Sequence, residues 1–215
     1  MAMIIIALSG KLNSGKDTVG SIIQYLVSEP NRIKTGYDIS YNDFVNEAWN
    51  EESLSGFKIK KFATKLKKRI AITWGIKISD LENREFKESM SPLGITWRKL
   101  MQLEGEKMRE IDEDYWVKAL MNSISNNCII TDLRFPNEAK AIKEKNGIAI
   151  RINRPCKECN NLNKHKLDCN IGRFEHISET SLDDYNDWEY IIDNDRGIEE
   201  LILKMKVILI KENII

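Results

Sequence analysis

Seven residues near the start of the chain, Gly10-Lys11-Leu12-Asn13-Ser14-Gly15-Lys16, fit the pattern G-x-x-x-x-G-K. A glycine-rich turn of this kind can aim successive backbone N–H groups into one concavity, an anion nest at a helix N-terminus. Lys16 adds a full positive charge, suited to the β- and γ-phosphates of a nucleoside triphosphate. A cation at the positive end of a helix is otherwise unfavourable, so the lysine argues for a polyphosphate ligand over a plain strand-to-helix turn. Asp17 follows where Ser or Thr is usual, and Thr18 comes next. A carboxylate is a hard oxygen ligand and can hold Mg²⁺ directly or through water, while Thr18 can donate to a phosphate. Gly10, Asn13, Ser14, Gly15, Lys16, Asp17 and Thr18 therefore form the expected nucleotide-binding set, with ATP and Mg²⁺ as cofactors.

A second carboxylate, Asp132, ends the apolar run Cys128-Ile129-Ile130-Thr131. At a strand end it can face the loop and hold Mg²⁺ or its waters. Arg134, two residues on, can reach a phosphate with its planar fork. Taken alone, the two read equally well as a polar loop residue and a surface ion pair; beside a phosphate loop the functional role is favoured. Arg98 and Gln102 lie four apart on a predicted helix and share a face. Arg98 could clamp an acceptor phosphate and Gln102 could hydrogen-bond a base, with a solvated face as the alternative. Arg151 and Arg154 flank a strand end, where arginines can stabilise charge on a transferring phosphoryl group. Arg154 is assigned the catalytic role and Arg151 substrate binding. Lys61, Lys65, Lys67 and Lys68 read as solvation, Tyr115 and Trp116 as core, and His176 as structural. Transfer between phosphates needs no general base, because the acceptor oxygen is already ionised.

Cys156, Cys159, His165 and Cys169 lie within one short polar stretch. Three cysteines and a histidine are a known structural zinc set, and their spacing is near that of a zinc knuckle, a single-strand-binding module. The alternative is incidental cysteines in a loop.

These residues need elements to place them. The apolar run at 3–8 reads as a buried strand. A helix is expected over 16–28, with Val19, Ile22, Ile23, Leu26 and Val27 on one face and Pro30 ending it. Further helices are expected near 42–49, over 63–74 closed by Gly75, from a Thr96 cap to about 108, and over 115–124. Strands are expected at 57–62, 128–131, 148–152 and 188–192. A helix starts near Pro136 and is terminated by Gly147; another follows Ile198. Residues 79–92 read as irregular. Alternation of strands and helices implies an α/β fold, a mainly parallel sheet flanked by helices, and the G-x-x-x-x-G-K motif after its first strand makes the P-loop NTPase type the expectation. We expect a single domain over 1–215, with 155–175 as an inserted lid. Ligands of such sheets bind beyond the carboxyl ends of the strands.

In the order of the chain, GKLNSGKDT (10–18), FATKLK (62–67), ENREFKE (82–88), TWRKLMQL (96–103), IDEDYWVKAL (111–120), TDLRFPNEA (131–139) and HISETSLDDY (176–185) resemble the phage-type deoxynucleoside monophosphate kinases. The resemblance covers most of the chain. It implies a P-loop enzyme that uses Mg·ATP and a deoxynucleoside 5′-monophosphate, a virus-encoded origin and a possible homodimer. Trp97 stands where that family often has proline, and the cysteine-bearing stretch is longer than the family pattern.

Composition narrows the competing classes. Lys and Arg total 33, as do Asp and Glu, so the basic excess of a nucleic-acid binder is absent. No stretch is long and apolar enough to span a membrane and no signal-peptide pattern is evident, so a cytoplasmic location is expected. Two alternatives stay open: a P-loop kinase of another phosphorylated metabolite such as dephospho-coenzyme A, and a nucleotide- or nucleic-acid-binding module carrying a zinc knuckle.

Overall fold

β1 (Ile5–Ser9) and β3 (Cys128–Leu133) are buried at every residue. Strands covered on both faces read as apolar runs, as β1 does; β3 runs past its apolar start through Thr131 and Asp132 to Leu133, two residues beyond the expected end. The structure, a computed structural model, describes residues 3–34, 36, 39–46, 55–154 and 176–215. β1 is the centre of a five-stranded sheet of order β2-β3-β1-β4-β5. The remaining strands are β2 (Lys58–Lys60), β4 (Ile148–Asn153) and β5 (Tyr190–Asp193). The β1–β3, β1–β4 and β4–β5 pairings are all parallel, which requires crossover connections.

Those crossovers are helices. α1 (Lys16–Lys34) follows β1, α7 (Pro136–Glu144) joins β3 to β4, and α9 (Ile198–Lys211) follows β5. Ile6 and Leu8 of β1 share one core with Val19, Ile22, Ile23 and Leu26 of α1 and Leu201, Met205 and Leu209 of α9. Strand side chains alternate between faces, so Ile5 and Ala7 point the other way, where α7 contacts β1 and β4. The result is the expected parallel sheet with helices on both faces.

The described chain divides into two compact units, Met1–Ile59 with Ser125–Ile215, and Lys60–Ile124. The second unit holds α3 (Ala63–Trp74), α4 (Arg84–Glu88), α5 (Trp97–Ile111) and α6 (Tyr115–Met121). Its core joins Ile70, Leu81 and Trp97. The Trp97 ring stacks on Phe86 at 5.5 Å and meets Trp74 edge-on at 6.1 Å. Thr96 caps α5 by accepting from Lys99 N–H at 3.1 Å. Trp97 is therefore at the first helical position, where proline is well tolerated because its missing N–H has no helical partner. Here the Trp97 N–H donates to Ser89 O at 3.1 Å instead. Trp116 is core as expected, its indole N–H on Gly105 O at 3.1 Å.

Several expectations are corrected. α1 does not stop at Pro30 but runs through it to Lys34. The buried Arg32 explains why: its guanidinium donates to Ser28 Oγ at 3.0 Å, Ile39 O at 3.0 Å and Tyr25 O at 3.1 Å. It also lies over the Tyr25 ring at 4.1 Å, so tertiary bonds hold the turn that proline weakens. The short helix in the following stretch, α2, is Tyr41–Asn46; the rest of that expected helix lies outside the described residues. Residues expected to be irregular contain α4, capped by Asn83, whose side chain accepts from Phe86 N–H at 2.9 Å. Asn146, not Gly147, takes the left-handed conformation after α7, with φ of 54°. β5 starts at Tyr190, two residues later than expected.

Candidate functional site

The loop between β1 and α1 turns on three residues with positive φ, Gly10 at 156°, Asn13 at 62° and Gly15 at 98°. A Cβ at Gly10 would lie 2.4 Å from Ile152 O and from Ser14 Oγ, and one at Gly15 would lie 2.5 Å from Asn194 Nδ2. Gly10 thus needs glycine for space as well as for backbone angle, because the near atom is a main-chain oxygen; at Gly15 the backbone angle is the requirement, and the Asn194 amide would have to shift. Ser14 is 2% exposed, and its Oγ is buried with no hydrogen-bond partner among the described residues. A buried hydroxyl left without a partner is costly unless a ligand satisfies it.

Lys16 folds back over this loop. Its ammonium donates to Gly10 O and Lys11 O, each at 2.7 Å. Its pKa is pulled down from 10.5 to about 8, first by burial and then by the nearby Arg134, with Arg151 adding to it; Glu179 and Asp17 act the other way. A partly desolvated cation among other cations is a strong attractor for a polyanion.

Register decides what surrounds the loop. Ser9 of β1 is aligned with Arg151 of β4, and the Arg151 guanidinium donates to Ser9 Oγ at 3.1 Å. Between β1 and β3 the alignment slips: Ala7 faces Ile130, yet Ser9 faces Leu133. This bulge adds a residue beside the loop, where bulges re-aim side chains. The two residues it spans are Thr131 and Asp132. Thr131 Oγ1 donates to the Asp17 carboxylate at 2.9 Å, and Asp132 is 8% exposed. Asp17 thus presents a hard carboxylate on the first turn after the glycine-rich loop, a ligand type that suits Mg²⁺, which takes one or two carboxylates and completes its shell with phosphates and water.

A further segment closes on the loop. α8 (Ile177–Thr180) is capped by His176, which confirms a structural histidine: Nδ1 accepts from Ser178 N–H at 3.2 Å. Glu179 accepts from the Arg134 guanidinium at 2.5 Å and from the Leu12 N–H at 3.2 Å. Lys11 donates to Glu179 O at 2.7 Å and pairs with the Asp183 carboxylate. Asp183 also stands 3.6 Å from Arg151. Arg154 donates to Asn13 O at 3.1 Å. Asn194, immediately after β5, donates to Ser14 O at 3.0 Å.

The structure thus gathers Gly10, Asn13, Ser14, Gly15, Lys16, Asp17, Asp132, Arg134, Arg151 and Arg154 within the first unit; Thr18 sits exposed on the first turn of α1. Arg98 and Gln102 belong to the second unit, both half-buried on α5, and Arg98 is paired with Glu88 at 2.7 Å. Cys156, Cys159, His165 and Cys169, with the expected lid, lie outside the described residues. Among the described residues no group of three or more His, Cys, Asp or Glu side chains is placed to hold a metal ion, and no helix is long and apolar enough to cross a membrane. Sequence reasoning missed Lys11, Glu179, Asp183 and Asn194. Each carried a signal: Lys11 stands inside the glycine-rich motif, Glu179 and Asp183 inside the 176–185 stretch that carries the resemblance, and Asn194 just past the carboxyl end of a strand.

No family model matches the sequence. No curated protein matches it either. Among solved structures, shikimate kinase from Aquifex aeolicus aligns with 15% identity and a TM-score of 0.42, over 98% of each chain. Shikimate kinase from Bacteroides thetaiotaomicron aligns with 14% identity and a TM-score of 0.41, over 97% of this chain and 99% of that one. A sugar kinase from Janibacter sp. aligns with 12% identity and a TM-score of 0.40, over 96% and 94%. These likenesses are too distant to carry function.

Proposed function

We propose that this chain is an ATP-dependent phosphotransferase whose acceptor is a small phosphorylated molecule, in the sharpest form a deoxynucleoside 5′-monophosphate. The observation that carries the proposal is the loop: Lys16 lies folded over the carbonyls of Gly10 and Lys11 beside the orphaned Ser14 hydroxyl. That arrangement suits a triphosphate tail.

The loop amides and Lys16 hold the β- and γ-phosphates. An ionised acceptor oxygen forms the new bond to the γ-phosphorus as the bond to the β–γ bridging oxygen breaks, leaving ADP. Charge is displaced and no proton need move, so positioning and cations suffice. Lys16, Arg134 and Arg154 are assigned to the transferring group, and Arg98, Gln102 and Arg151 to the acceptor. Asp17 and Asp132 would hold Mg²⁺, which when bound neutralises phosphate charge. The deoxynucleotide acceptor follows from the sequence resemblance, as do viral origin and a homodimer. A structural zinc on Cys156, Cys159, His165 and Cys169 belongs to the same proposal.

The test is acceptor-dependent ADP release across deoxynucleoside monophosphates, ribonucleoside monophosphates, dephospho-coenzyme A and shikimate, with metal analysis of the purified protein. Release with a deoxynucleoside monophosphate, lost in Lys16→Ala, supports the proposal. Release only with another acceptor moves the substrate and keeps the class. Tight single-strand binding without any acceptor-dependent release would favour the binding module.

A further inference from the structure

Arg134 is the one proposed catalytic arginine whose side chain is held by another element's side chains, and the holder is a carboxylate. Its Nη1 donates to Glu179 Oε1 at 2.5 Å and to Ser178 Oγ at 3.2 Å. Its Nε and Nη2 have no hydrogen-bond partner among the described residues. One branch of the fork is therefore fixed while the remaining donors are open to a ligand. The second oxygen of Glu179, Oε2, accepts from the Leu12 N–H at 3.2 Å, and its main-chain oxygen accepts from Lys11 at 2.7 Å. One residue thus ties three groups together: the guanidinium, a loop amide and the lysine beside it. Glu179 is itself well covered, its side chain 13% exposed, so little solvent competes for these bonds.

We propose that Glu179 is a positioning residue, which holds Arg134 against the phosphate-binding loop and braces the loop's first turn at Leu12. This rests on the kinase proposal, because Arg134 must meet a phosphate for its orientation to matter. Two physical roles for a carboxylate at this place have opposite signs. As an anchor, it removes rotamer freedom from a long side chain before the ligand arrives, and its loss weakens binding and turnover. As an occupant of the phosphate's own donors it would compete, and its loss would tighten binding. The open Nε and Nη2 favour the anchor.

The test is a double-mutant cycle over Glu179→Ala, Arg134→Ala and the pair. It is read as kcat and KM for ATP and as the Kd of a fluorescent ADP analogue. Circular dichroism verifies folding, and Glu179→Gln serves as the milder variant because it keeps an acceptor oxygen for Arg134. Coupled neighbours depart from additivity. Glu179→Ala is expected to lower kcat about tenfold or more and weaken ADP-analogue binding several-fold, as loss of a charge-assisted bond does. In the Arg134→Ala background its further effect should be less than about twofold. Glu179→Gln should fall between Ala and the unmodified chain. Additive losses, unchanged kinetics in Glu179→Ala, or tighter nucleotide binding in either variant would overturn the anchor. Failure of the unmodified chain to bind the analogue would overturn the kinase proposal and this one with it; normal binding with unaltered Glu179 variants would overturn this one alone.

Discussion

Thr131 donates its hydroxyl to the Asp17 carboxylate at 2.9 Å, joining residues 114 apart in sequence. The bond ties the end of β3 to the first turn of α1, so the proposed metal-side carboxylate is oriented by a neighbouring strand. Replacing Thr131 with Val keeps the shape and removes the donor. The expected result is a loss of about 1 kcal/mol in stability and a several-fold higher Mg²⁺ concentration for half-maximal turnover. Urea unfolding and a Mg²⁺ titration of activity check the two effects separately.

Lys16 gives the free protein a pH signature. Its folded pKa of about 8 lies below the ordinary 10.5, so the unfolded chain binds the extra proton between those values. Stability then rises with pH through that window. The destabilisation is fully present below pH 8 and relieved as pH approaches 10.5. Relative to Lys16→Met, the unmodified chain should gain on the order of 3 kcal/mol across it. Parallel stability–pH curves for the two proteins would contradict a buried Lys16 ammonium.

Lys16→Ala should reduce turnover by at least about 10²-fold, as expected when a charge on the transferring phosphate is lost, while circular dichroism stays unchanged. Full activity in this variant would remove the loop from the mechanism.

Gly15→Ala meets both a φ of 98° and the Asn194 amide 2.5 Å from the new Cβ. The expected cost is about 1–3 kcal/mol, together with weaker ATP binding. Adding Asn194→Ala removes the clash but not the backbone strain, so it should restore part of the stability. Thermal unfolding of Gly15→Ala, Asn194→Ala and the double variant separates the two terms.

Arg98→Ala should raise KM for the acceptor about tenfold, as loss of a charged phosphate contact does, with the Kd of ATP unchanged. Its ion pair with Glu88 is exposed, at 42% and 49% for the two side chains. Exposed pairs contribute about 0–1 kcal/mol, so stability should hardly move. An unaltered acceptor KM would return Arg98 to a plain surface role.

Local signals carried much of the fold. The buried strands β1 and β3, the Thr96 cap, Gly75 with φ of 65° after α3 and the apolar face of α1 all depend on neighbours within a few residues. Composition and spacing can report such features. Pro30 misled because its local effect was outweighed by Arg32, whose partner Ile39 O lies beyond the helix. Local propensity is a weak prior where a buried side chain intervenes.

The amino-acid order alone determined the glycine-rich loop between β1 and α1, since glycine spacing, lysine and the following amphipathic helix are contiguous in the chain. Tertiary structure decided what the loop is surrounded by. The register of β1 on β4 sets Arg151 on Ser9. The β1–β3 bulge falls at Thr131 and Asp132, and Thr131 reaches Asp17 from it. The return of residues 176–185 sets Glu179 on Arg134 and Asp183 on Lys11. Those pairs are 45 and 172 residues apart. A one-residue slip in a strand turns every side chain to the opposite face, and no periodicity within either segment records which slip occurs.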